Sequence, residues 1–213
     1  PEFHPEGDVW IHTLLMLEAM RNPSRTLALG VLLHDVAKPP TFQLAERIRF
    51  DGHAELGARM ARDILTRLRC PNQEIALVEA LVANHLRFKD VQGMRASTLK
   101  RFLRLDRFEE HLELHRLDCI ASHRNLANYE FVKAQLAALP PEALKPPRLV
   151  TGHDLIARGY LPGPAFARIL KQVEDAQLEG WLRDREAALG WVEEHFAPPD
   201  GAPRYSPKRT RPA

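Results

Sequence analysis

Ser24-Arg25-Thr26-Leu27-Ala28-Leu29-Gly30-Val31-Leu32-Leu33-His34-Asp35-Val36-Ala37-Lys38-Pro39-Pro40 is the stretch on which the fold turns. Residues 27–33 are apolar on every side of a helix, so that helix is expected in the middle of a bundle. Pro39-Pro40 stops it, because proline lacks an N–H and pushes its predecessor out of the helical region. His34-Asp35 therefore stands at the end of a buried helix beside a break, rigid on one side and open on the other. An adjacent histidine and aspartate supply a nitrogen and an oxygen donor, a pairing suited to a divalent ion.

Outward from this segment the apolar spacing is helical nearly throughout, with no convincing strand pair, and the predicted class is all-α. Asp8 is expected to cap a helix whose apolar stripe is Trp10, Leu14, Leu17 and Met20. Residues 41–52 read as a loop, with Arg47-Ile48-Arg49-Phe50 a short extended stretch within it. A helix from about 52 to 68 repeats Leu56, Met60, Ile64 and Leu68, and Asn72 caps the next, which ends at His85. Ser97 opens another, and the helix from about 108 to 122 puts His111, His115 and Asp118 on one face. Pro140-Pro141 and Pro146-Pro147 mark the clearest break. The expected organisation is a helical domain over 1–139 and a helical appendage over 148–196, followed by a disordered tail over 197–213.

Composition excludes several classes. The chain has 213 residues, 45% hydrophobic and 27% charged, with a formal charge of +2, too small by itself to imply nucleic-acid binding. No apolar run is long enough for a membrane span, and nothing resembles a signal peptide. Two cysteines, Cys70 and Cys119, make no disulfide framework and read as buried small hydrophobes, so a reducing cytoplasm is the expected compartment. There is no nucleophile elbow, phosphate-binding glycine loop or paired-cysteine zinc motif.

The remaining chemistry lies in histidine and aspartate. His12, His34, Asp35 and Asp118 are the candidate ligands of one divalent ion, with positions left for water and substrate. His53 and His85 complete a second site, with Asp35 bridging two ions, or orient a phosphate, or are satisfied structural histidines. His111 and His115, spaced i, i+4, are competitors for the same role.

The order of these residues resembles the HD-domain metal-dependent phosphohydrolases. A closer resemblance is to the HD-domain part of bacterial tRNA nucleotidyltransferases, the CCA-adding and poly(A) polymerase family. It is carried by Phe3-His4-Pro5-Glu6-Gly7-Asp8-Val9-Trp10-Ile11-His12, Leu33-His34-Asp35-Val36-Ala37-Lys38-Pro39, Arg49-Phe50-Asp51-Gly52-His53, Asn84-His85-Leu86-Arg87-Phe88 and Leu114-His115-Arg116-Leu117-Asp118-Cys119. Similar stretches recur through Ser97-Thr98-Leu99-Lys100-Arg101-Phe102 and Leu149-Val150-Thr151-Gly152-His153-Asp154. The catalytic head of that family has no counterpart in the chain. The resemblance implies His12, His34, Asp35 and Asp118 as metal ligands, and His111 and His115 fall outside the family order. It also implies Mn, Ni, Co, Mg or Zn as the ion, one or two per chain.

The implied reaction is hydrolysis of a nucleotide phosphomonoester or a 2′,3′-cyclic phosphodiester by metal-activated water. Asp35 and Lys38 would be catalytic, and Lys38, Arg87, Lys100, Arg101 and Arg104 would contact phosphate. Ala37 departs from the family's usual glycine and would crowd a left-handed backbone. The alternative is a tRNA-binding body without catalysis of its own, in which Lys100, Arg101, Arg104 and the tail residues Lys208, Arg209 and Arg211 meet phosphates.

Overall fold

The computed structural model describes residues 8–46 and 48–196. The Phe3–Gly7 part of the opening motif, Arg47, and the 197–213 tail with its basic residues lie outside the described residues. The fold is helical: α1 Val9–Ala19, α2 Arg25–Leu33, α3 His53–Arg67, α4 Asn72–Asn84, α5 Ala96–Leu103, α6 Phe108–Ala121, α7 Ala127–Ala138, α8 Pro141–Leu144, α9 Gly152–Ala157, α10 Pro164–Leu178 and α11 Arg185–His195. A 3-10 segment, His85–Gly93, continues α4. No helix among the described residues is long and apolar enough to cross a membrane.

The loop expected over 41–52 holds the one departure from all-helical structure among the described residues. Strand β1 (Gln43–Leu44) pairs antiparallel with β2 (Ile48–Arg49), Gln43 opposite Arg49 and Leu44 opposite Ile48. Strands this short leave almost no alternating pattern for a sequence reading to detect.

The chain divides into two units. The first holds residues 8–94 and 104–138, the second 95–103 and 139–196. In the first, α2 packs on α1, α4 and α6. Leu27 and Val31 meet Met16, Leu81, Leu114 and Leu117 on one side. On the other, Leu33 joins a cluster of Ala58, Ala61, Leu65, Val78 and Val82. The central helix expected from residues 27–33 is thus largely buried, with Leu32 left exposed.

Caps explain where these helices start. Asp8 accepts from the backbone N–H of Trp10 and Ile11, and Ser24 from that of Leu27 at 3.0 Å. Ser24 and Thr26 also donate to the buried carboxylate of Glu110 on α6, at 2.6 and 2.7 Å, and Arg107 pairs with the same group. Glu110 thereby ties the start of α2 to α6. Glu110→Ala should lower unfolding free energy by about 2 kcal/mol, the worth of hydrogen bonds to a buried charged group. Urea denaturation checks this, and an unchanged midpoint would reject it.

In two helices the expected stripe lies only at the edge of the buried face, with Leu17, Met20 and Ile64 half-buried against the core. In α1 the buried residues are His12, Thr13 and Met16, while Trp10 and Leu14 are exposed. In α3 they are His53, Ala54, Gly57, Ala58, Ala61 and Leu65, whereas Leu68 is exposed. Small residues let α3 approach α4 closely: a Cβ on Gly57 would come within 3.2 Å of Val82 Cγ1. Both helices turn toward the core the face that carries a histidine.

In the second unit, Val150, Leu155, Ile169, Val173, Leu182, Leu189 and Val192 form the core. Helix α5 belongs here. Ser97 N–H donates to Glu179, Lys100 to the Leu178 carbonyl, and Arg101 pairs with Glu174 and Asp175 on α10.

Candidate metal centre

Five elements of the first unit bring six side chains together. His12 lies in the middle of α1, and His34 and Asp35 follow α2. His53 opens α3, His85 follows α4, and Asp118 lies on α6. His12, His34, Asp35, His53 and His85 are all less than 10% exposed. Asp118 is more open, with 28% of its side chain accessible. Gly52 makes the entry of His53 possible: its φ of 76° lies in the left-handed region, where a side chain would be strained.

Three of the histidines share one device. His34 Nδ1 is 2.8 Å from the Val31 carbonyl, His53 Nδ1 2.7 Å from that of Phe50, and His85 Nδ1 2.7 Å from that of Val82. Each bond reaches the carbonyl three residues back and orients the ring with Nδ1 outward, so that each Nε2 faces the cluster and can offer its lone pair to an ion. None of these carbonyls is visible to a sequence reading, because any residue type supplies one.

The Nε2 atoms converge on Asp35. Its Oδ1 is 3.4 Å from His53 Nε2 and 3.8 Å from His85 Nε2, and its Oδ2 is 3.2 Å from His34 Nε2. His12 Nε2 is 3.1 Å from Asp118 Oδ1. The donor atoms fall into two groups, His12–His34–Asp118 and Asp35–His53–His85, each within 4.8 Å. Two donors bonded to one ion at about 2.1 Å lie at most about 4.2 Å apart, so small side-chain movements would suffice to close either group.

Electrostatics also favour a cation. His53 Nε2 and His85 Nε2 are 3.3 Å apart, close enough for both to reach one ion. Burial tends to raise the Asp35 pKa, but the charge and hydrogen bond of His34, helped by His53 and Lys38, hold it well below the usual carboxylate range. Burial opposes charge on His34 as well, yet Asp35 raises its pKa. Asp118 is held at about 2, burial being outweighed by the His12 hydrogen bond and the His34 charge. His85 is pushed down to about 4, by burial first and then by His34. The carboxylates stay ionised, His85 stays neutral, and the donor set fits a divalent transition ion.

Lys38 is buried, its Nζ 2.6 Å from Asp35 Oδ2 and 5.6 Å from the centre of the Phe50 ring. Ala37 does not adopt a left-handed backbone, so its methyl group is accommodated, fully buried. Arg87 is half-buried on the 3-10 segment, donating to Asn84 Oδ1 at 3.1 Å, and burial lowers its pKa. Arg104 is half-buried in the first unit. Lys100 and Arg101 belong to the second, where α10 and the Leu178 carbonyl engage them. His111 and His115 are buried outside both donor groups; the His115 ring stacks on Phe88 at 4.3 Å. Cys119 is buried, and burial raises its thiol pKa to about 12.

Among curated proteins, the chain is similar to the A-adding tRNA nucleotidyltransferase of Deinococcus radiodurans, 31% identical over 87% of this chain and 46% of that protein. The multifunctional CCA protein of Methylococcus capsulatus is 31% identical over 83% of this chain and 42% of its own length. The CC-adding tRNA nucleotidyltransferase of Thermus thermophilus is 32% identical over 77% and 38% respectively. The chain thus spans less than half the length of these relatives. No solved structure matches it. The model of the HD domain matches residues 8–130, from the cap of α1 into α7 and across all six converging side chains, and the chain belongs to the HD-domain family.

Proposed function

We propose that this chain is a metal-dependent phosphohydrolase acting on a nucleotide phosphomonoester or a 2′,3′-cyclic phosphodiester. The observation that carries the reading is the convergence of buried, carbonyl-oriented Nε2 atoms on the ionised carboxylate of Asp35. His12, His34 and Asp118 would hold one divalent ion and Asp35, His53 and His85 a second. Such an ion neutralises phosphate oxygens and lowers the pKa of water near pH 7. Histidine-rich ligation favours Mn, Ni, Co or Zn over Mg alone.

The chain's own groups do the rest. Lys38 offers an ammonium beside Asp35 for a phosphate oxygen, acting as a point charge. Arg87, expected to meet phosphate, is engaged by Asn84 and lies toward His111. Partly exposed Asp118 marks a side from which solvent and substrate enter.

Metal-free protein reloaded with Mn, Ni, Co or Zn should open 2′,3′-cyclic AMP to a monophosphate or release phosphate from nucleoside monophosphates. EDTA should abolish this turnover. No hydrolysis with any of the four ions would reject the proposal.

The names of the relatives support a second reading, a tRNA-binding body. The ion pairs of Arg101 with Glu174 and Asp175 weaken it, since they consume one of the cations it needs.

A further inference from the structure

The β1–β2 hairpin has two unlike faces. Because Gln43 pairs with Arg49 and Leu44 with Ile48, side chains alternate so that Phe42, Leu44, Ile48 and Phe50 share one face and Gln43 and Arg49 the other. The apolar face is largely open: Phe42 is 53% exposed, Leu44 80% and Ile48 41%. A contiguous exposed apolar patch on a small ribbon marks a binding surface.

The position of the face identifies what binds. Its inner end is Phe50, whose carbonyl fixes His53 and whose ring meets the His53 ring edge-on at 6.5 Å. Lys38 Nζ sits over the Phe50 ring while touching Asp35. The next ring outward is Phe42, 6.0 Å from Phe50. A phosphate held at Lys38 and the Asp35 cluster would therefore have a flat apolar wall beginning one aromatic ring away, about the reach of a nucleoside.

We infer that the apolar face made by Phe42, Leu44, Ile48 and Phe50 is the nucleobase-binding wall of the site, with Phe42 the stacking platform. Substrates are then nucleotides rather than small phosphoesters, and the base is gripped by its π-face with little preference among bases. Arg49, on the opposite face, takes no part. This rests on the phosphohydrolase reading above and names the residues that grip the nucleotide's base.

The test is equilibrium binding of two probes, the non-hydrolysable phosphonate analogue of 2-aminopurine riboside monophosphate and inorganic phosphate, to protein loaded with Mn. Stacking on Phe42 should quench the 2-aminopurine fluorescence, and calorimetry should show the nucleotide binding tighter than phosphate. Phe42→Ala should relieve the quench and weaken nucleotide binding on the order of tenfold, collapsing its advantage over phosphate. Phe42→Trp should restore both. Because Phe42 is exposed, circular dichroism should show the helices intact in each variant.

Phosphate binding without nucleotide preference in the wild type, or an undiminished preference in Phe42→Ala, would overturn the wall and leave the phosphohydrolase reading standing. Binding of neither probe would overturn both. A hairpin that serves instead to meet another protein chain would give the first of these results.

Discussion

Asp35→Ala is expected to bring metal-dependent hydrolysis below about one thousandth of wild type, the loss that follows when several kcal/mol of charge stabilisation disappear. Asp35 touches both halves of the cluster with its carboxylate. It lies 3.2 Å from His34, 3.4 Å from His53, 3.8 Å from His85 and 2.6 Å from Lys38. Without its carboxylate the second donor group is reduced to two imidazoles, and the first loses the anion that supports His34. Elemental analysis should show metal content falling with activity. Asp35→Asn keeps the side-chain volume and serves as the folding control, with unchanged helical circular dichroism. Full metal occupancy and undiminished turnover in either variant would refute the assignment of Asp35.

The metal-free protein should lose stability steeply on the acid side of neutrality, on the order of 5 kcal/mol between pH 6.5 and pH 4.5. Burial holds His111 and His115 at about 4, and His85 is held there by burial and by His34. Their folded pKa values thus lie below the ordinary 6.5. As pH falls beneath 6.5 the unfolded chain takes up protons that the folded chain refuses. Stability is therefore complete above pH 6.5 and declines until about pH 4. His34 works in the other direction: its pKa is raised, so its contribution is full below 6.5 and is lost only as pH climbs. The carboxylates of Asp35 and Asp118, held low, act beneath this window. Urea titrations at successive pH values measure the slope. His115→Phe, which keeps the stack on Phe88, should remove about one proton's worth of it. A flat profile from pH 7 to 5 would contradict the burial of these rings.

What the sequence made legible was punctuation. Asp8 and Ser24 announce helix starts because their side chains can satisfy orphan N–H groups, and Pro39-Pro40 announces the break after His34-Asp35. The all-helical class follows from apolar spacing. Less legible was which face each helix buries. Trp10 and Leu14 are larger and more apolar than His12 and Thr13, yet the polar pair is buried. His12 meets Asp118, and Thr13 bonds the Val9 carbonyl at 2.9 Å. In α3 the close approach to α4 selects Gly57, Ala58 and Ala61 over the bulkier Met60 and Ile64.

The site divides along the same line. Side-chain identity pointed to His12, His34, Asp35, His53, His85 and Asp118, and the fold gathers all of them. The carbonyls that orient the rings carry no identity, and neither does the engagement of Arg101 by residues more than seventy positions away.

The first donor group joins residue 12 to residue 118, and the second joins 35, 53 and 85. A bound ion would therefore act as a knot in the chain, tying distant turns that packing alone must otherwise hold. Holding and dissolving the architecture would then depend on metal supply: a chain starved of ions would be the one that opens first, and proteolysis would discard the unloaded molecules before the loaded ones.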